Sequence, residues 1–95
     1  MILELVTLSV KPELAKAFEA AYRDASPLMS RAKGNLGHEL KRSVETPGRY
    51  VLIIKWATLD DHLEGFRGSP DHAEWQRRMH PFYSARSSIE HYEAV

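Results

Sequence analysis

Histidine is the side chain best suited to moving protons near neutral pH, and this chain of 95 residues carries five: His38, His62, His72, His80 and His91. Their spacing contains no His-x-His and no His-Glu-x-x-His, and His72 and His80 stand two helical turns apart with Gln76 between them. That is poor chelate geometry, so no metal is expected. His62 falls on the Leu59, Leu63 and Phe66 side of a short predicted helix, which aims its imidazole into the domain. It serves there either as a general base or as a packed neutral histidine satisfied by a backbone carbonyl. His38 lies on a predicted strand. Facing the helices it would share a cavity with His62 and Trp56; facing the other way it would belong to a subunit interface, and strand alternation does not choose between the two. Arg67, in the loop between two short helices, either stabilises an anionic substrate or oxyanion or pairs with a surface acid.

Flat apolar walls would complete such a site. Trp56 and Trp75 each offer an indole ring to a planar ligand and an N–H to orient a phenol oxygen. Phe66 would wall the same space, and His72 and Tyr83 share a broad helical face with Trp75, Gln76 and Met79. For each of these the alternative is ordinary core or subunit contact. The chemistry that histidine, arginine and tryptophan can run alone is oxidation without a bound cofactor. An electron-rich phenol or hydroquinone, once deprotonated, delivers an electron to O₂ itself, so the protein need only exclude water, hold the ring and take a proton. No Gly-x-Gly-x-x-Gly follows a strand and no Gly-rich loop opens a helix, so no flavin or nicotinamide is expected. Two other classes fit the same residues: a binding module that sequesters a small hydrophobic metabolite, and an isomerase or lyase-like enzyme using the histidines as acid and base.

These side chains need elements to hold them. Ile2 to Val10 reads as a strand closed by Lys11-Pro12. Pro12 then opens a long amphipathic helix through Leu14, Phe18, Ala21, Tyr22, Ala25, Leu28, Met29 and Ala32. Pro27 predicts a kink or restart there, capped by Ser26, and Gly34-Asn35 ends the helix. Leu36 to Val44 and Tyr50 to Trp56 form a β-hairpin around Pro47-Gly48, and the second arm is apolar on both faces. Thr58 caps the short helix that carries His62; Ser69-Pro70 starts the next, which Pro81 disturbs; Ser87 to Val95 ends the chain as a strand.

The totals bound the answer. Ninety-five residues make one modest core, and 43% hydrophobic with 27% charged residues and zero formal net charge is an ordinary globular composition. No basic field recruits nucleic acid. The absence of cysteine excludes disulfides, thiolate metal sites and a thiol nucleophile. With neither signal-peptide pattern nor membrane-spanning stretch, a soluble cytoplasmic protein is expected. The order β-α-β-β-α-α-β, an α+β arrangement with the second helix split, is that of the ferredoxin-like split βαβ domain, with helices on one face of an antiparallel sheet. The doubly apolar strands leave the other face in need of cover, and a homodimer through the sheet faces supplies it.

Four runs carry a further resemblance: Gly34-Asn35-Leu36-Gly37-His38-Glu39-Leu40, Pro47-Gly48-Arg49-Tyr50, Trp56-Ala57-Thr58-Leu59-Asp60-Asp61-His62, and Phe66-Arg67-Gly68-Ser69-Pro70 leading to Trp75. Over essentially the whole chain the sequence resembles the antibiotic biosynthesis monooxygenase family. The resemblance implies a dimeric αβ-barrel and, among the family's several activities, a cofactor-independent monooxygenase acting with O₂ on a small aromatic, phenolic or quinol-type compound. The heme-degrading branch carries a helical histidine near the place of Gln76 and a strand asparagine near Val6 or Thr7, and this chain has neither.

Overall fold

Alternating polarity in the first residues becomes β1, Ile2–Ser9, which buries Glu4, Val6 and Leu8 in one phase and leaves Leu3 and Leu5 in the other. Val10 bridges to Tyr83 outside the regular strand. The computed structural model describes all 95 residues. A 3₁₀ turn at Pro12–Leu14 leads into α1, Ala15–Ser30, which buries Phe18, Ala25, Leu28 and Met29 at helical spacing.

The expected break at Pro27 does not occur: α1 runs through it. Proline at this position deprives the Arg23 carbonyl of its helical N–H donor. Ser26 Oγ donates to that same oxygen at 3.0 Å, so it mends the helix instead of capping a new one.

Strands β2, Asn35–Arg42, and β3, Arg49–Trp56, form the hairpin, with Gly48 at φ +81° in its turn. Helix α2, Pro70–Met79, starts at Ser69, whose Oγ accepts the His72 N–H at 3.1 Å. Pro81 ends it in a 3₁₀ turn, His80–Phe82, and β4 is Ser88–Glu93.

The sheet order is β2-β3-β1-β4, with every pair antiparallel. This is the ferredoxin-like topology, in which α1 and α2 cover one face. Beneath them Val6, Leu8, Tyr50, Leu52, Ile54 and Trp56 meet Phe18, Met29, Trp75 and Met79 in one core. The opposite face carries Leu3, Leu5, Val51 and Ile53, partly exposed with no helix above them, and Tyr92 beside them at 44% exposure. No helix is long and apolar enough to cross a membrane.

Candidate functional site

The segment after β3 is built to turn His62 inward. Thr58 Oγ1 accepts the Asp61 N–H and Asp61 Oδ2 accepts the Thr58 N–H, each at 3.1 Å, a reciprocal capping pair. Gly34 backs it closely. At φ +81° a methyl group on Gly34 would lie 2.1 Å from Asp61 Oδ2, so only glycine lets the turn approach the start of β2. Asp61–Phe66 then winds as a π-helix, with Arg67 N–H bonded to the His62 carbonyl at 2.8 Å. The wide turn buries both His62 and Phe66.

His62 meets two partners from the sheet. Glu4 and His91 are direct neighbours across β1 and β4. His62 Nδ1 lies 2.9 Å from His91 Nε2, and His62 Nε2 lies 3.5 Å from Glu4 Oε1. Trp56 completes the group: its Nε1–H donates to Glu4 Oε1 at 2.9 Å and its ring stacks on His62 at 5.4 Å and 17°. Glu4 and His62 are only 3% and 4% exposed, so charge on either is disfavoured. Burial raises the Glu4 carboxyl above its usual range, against the pull of the Trp56 hydrogen bond and of Arg67. Burial, then the neighbouring His91, Arg67 and His72, lowers His62 to about 4. The Glu4–His62 approach has ion-pair distance but would be an ion pair only with His62 protonated; desolvation dominates both groups, and His62 is neutral at pH 7. A neutral imidazole donates from one nitrogen and accepts at the other, which suits it to pass a proton between Glu4 and His91.

Glu4 and His62 open on a cavity of about 200 Å³ between the sheet and α2, with His91 behind them. Of the residues singled out from sequence, His62, Phe66, Arg67, His72, Trp75 and Tyr83 line it. Gly68 N–H donates to His72 Nδ1 at 3.1 Å, which puts the proton of a neutral His72 on Nε2; burial, then Arg67 and His80, lowers this imidazole. Trp56 is fully buried behind His62 and does not reach the cavity wall. His38 faces the helices, paired in register with Ile54, yet stands apart from this cavity. Its Nδ1 meets Tyr22 Oη at 2.5 Å and its Nε2 meets Ser30 Oγ at 2.8 Å. Gln76 and Val6 also line the cavity. A larger and more open hollow of about 560 Å³ outside the π-helix is lined by Asp60, Asp61, Glu64 and Asp71, and it contains no histidine. Its residues are less suited to proton transfer than those around His62.

Two members of the array, Glu4 and His91, were not among the sequence candidates. Glu4 keeps the phase of Val6, Leu8 and Val10, so a carboxylate in the buried register was the available signal. His91 shares the strand phase of Ile89, but that phase does not by itself show its proximity to His62, which arises from tertiary packing.

Comparison with known proteins agrees with this architecture. Residues 1–78 match the family model described as antibiotic biosynthesis monooxygenase. The uncharacterized Bacillus subtilis protein YczJ is 40% identical over 95 residues, covering 100% of both chains. A Bordetella bronchiseptica crystal structure assigned to antibiotic biosynthesis monooxygenases is 36% identical with a TM-score of 0.94, over 99% of this chain and 96% of that one. SnoaB of Streptomyces nogalater, a cofactor-independent oxygenase, is similar in fold, with a TM-score of 0.83 at 18% identity over 99% of this chain and 92% of its own. With its sheet order, its helix-covered face and its match over most of its length, this chain belongs to the antibiotic biosynthesis monooxygenase family.

Proposed function

We propose that the protein is a cofactor-independent monooxygenase that oxidises a small phenolic or quinol-type aromatic with O₂. The observation that carries this reading is the buried Glu4–His62 pair, backed by half-buried His91, at the wall of a cavity that Phe66, Trp75 and Tyr83 also line. A proton acceptor beside an aromatic slot is what such an oxidation needs from a protein. SnoaB, a cofactor-independent oxygenase, has the same fold.

In this reading His62 takes the phenol proton, with Glu4 and His91 dispersing it, and Arg67 at the cavity wall steadies the phenolate. The phenolate passes one electron to O₂, and the resulting radical and superoxide join at a ring carbon to give a peroxide. His62 returns the proton to the peroxide, and loss of water, taking the hydrogen of that ring carbon, leaves a carbonyl. One oxygen atom enters the ring, the other departs as water, and a phenol plus O₂ becomes a quinone plus water. The proposal includes a homodimer through the open sheet face, whose apolar centre of Leu3, Leu5, Val51 and Ile53 is flanked by charges of both signs, Glu39, Lys41, Lys55 and Glu90.

The test is oxygen uptake across a panel of phenols, naphthols and hydroquinones. Turnover of at least one, abolished in His62→Ala and reduced in Arg67→Ala, is the expected result. Tight binding of a phenol without oxygen uptake would replace the enzyme by a binding protein, and unchanged turnover in His62→Ala would remove His62 from the mechanism.

A further inference from the structure

We infer that Glu4, His62 and His91 form a binding site for one divalent transition-metal ion of the zinc class. The three side chains come from three elements, β1, the π-helix and β4, and each presents one ligand atom with all of these atoms within 4.8 Å of one another. A carboxylate oxygen and two imidazole nitrogens are a known donor set for zinc, bound at about 2.0–2.2 Å with a further position left open. Here that position would face the cavity, where a water or a substrate oxygen fits.

The surroundings supply what such a site requires beyond its ligands. Trp56 Nε1–H holds one oxygen of Glu4 at 2.9 Å and its ring fixes the plane of His62, so both ligands are oriented from behind. Glu4 and His91 share one face at adjacent positions of paired strands, so their backbone separation is set by the sheet. A metal ion would also provide the positive charge that a carboxylate 3% exposed lacks. Arg67 at the cavity wall is the opposing charge and favours an anion in the open position. His62 Nδ1 is hydrogen-bonded to His91, while its Nε2 lies 3.5 Å from Glu4 Oε1 without a hydrogen bond. A metal takes one nitrogen from each ring, so binding replaces the His62–His91 hydrogen bond.

This site does not rest on the oxygenase reading. A metal occupying the His62 lone pair excludes its use as a proton acceptor, so zinc and turnover would compete. His91 also lies beyond the residues 1–78 that match the family model.

The experiment uses untagged protein stripped with a chelator. Zn²⁺ is titrated calorimetrically and Co²⁺ by its visible ligand-field absorption. One ion per chain is expected, with a raised thermal midpoint. Binding should be lost in Glu4→Gln and in His91→Ala, retained in His80→Ala, and weakened about tenfold or more in Trp56→Phe. If a variant is unfolded by circular dichroism, long-range ¹H–¹⁵N spectra of the wild type with Zn²⁺ identify the ligating nitrogens directly. Shifts confined to His62 and His91 support the site. No stoichiometric binding, binding that survives Glu4→Gln and His91→Ala, or nitrogen shifts at His72 and His80 instead, would overturn it. These readouts need no turnover, so failure of the metal site and failure of the oxygenase reading are separate results.

Discussion

The indole N–H of Trp56 donates to Glu4 Oε1 at 2.9 Å in a place where both residues are almost completely withdrawn from water. A buried carboxyl is tolerated when its oxygens have donors, and this bond is the one that ties the polar array to the core. Trp56→Phe keeps an aromatic ring and removes the donor. We expect it to destabilise the fold by ~2–3 kcal/mol in urea unfolding, part from the orphaned oxygen and part from lost volume. A double-mutant cycle with Glu4→Leu separates the two. A coupling of about 1–2 kcal/mol is expected, and a coupling near zero would mean that Trp56 acts through packing alone.

Pro27 gives a second cycle, one that asks how a helix tolerates an interior proline. Ser26 Oγ donates to the Arg23 carbonyl, the acceptor that Pro27 leaves without a backbone donor. Ser26→Ala should therefore lower stability by ~0.5–1.5 kcal/mol in the natural chain. In a Pro27→Ala background the restored N–H serves the same carbonyl, so Ser26→Ala should then have little effect. Equal effects in both backgrounds would show that the serine bond is incidental.

The contrast between what the sequence announces and what it conceals follows from range. Turn chemistry is local, so Pro47-Gly48 and Ser69-Pro70 mark the hairpin and the start of α2 where they lie. Gly34-Asn35, expected to end α1, instead opens β2 four residues after the helix has stopped at Ser30. The π-helix is not legible, because over six residues His62 and Phe66 face inward under either helical period. Pro27 misleads because the carbonyl it leaves without a backbone donor finds one in the preceding serine. Strand alternation allows both placements of His38, and only packing against Tyr22 and Ser30 selects the helix side. The site is the least local feature of all, since Glu4, His62 and His91 are brought together from almost the two ends of the chain.

His38 carries a pH dependence. Burial lowers its folded-state value below the usual 6.5, so the folded protein favours the neutral ring. The unfolded chain then binds the proton more readily, and this contribution to stability is full above about pH 6.5 and is lost as pH falls toward the folded-state value. The groups facing the ring are Tyr22 and Ser30, with the charge of Glu39 acting on Tyr22. Urea unfolding at neutral and mildly acidic pH should show a loss of stability that is smaller in His38→Gln than in the natural chain. Identical losses would remove His38 from the acid response and leave it to the other buried imidazoles.

The open sheet face leads to the remaining prediction. Leu3, Leu5, Val51 and Ile53 form the centre of a surface that no helix covers, and alternation along β1 and β3 fixes them there as firmly as it fixes the core on the other side. An apolar patch spread over two central strands is unfavourable in water, and a two-fold copy of itself meets it without any second gene product. Light scattering should return a dimer at micromolar concentration. Ile53→Lys puts a charge at the middle of the patch, opposite Leu5 in the β1–β3 register, while leaving the helix-covered core intact. It should yield a folded monomer with unchanged far-ultraviolet circular dichroism. A natural chain that is already monomeric, or an Ile53→Lys variant that stays dimeric, would exclude this face as the contact. Because the cavity lies on the opposite side of the sheet, the monomeric variant should keep the Glu4–His62–His91 array, and a nuclear magnetic resonance titration of its imidazoles tests that separation directly.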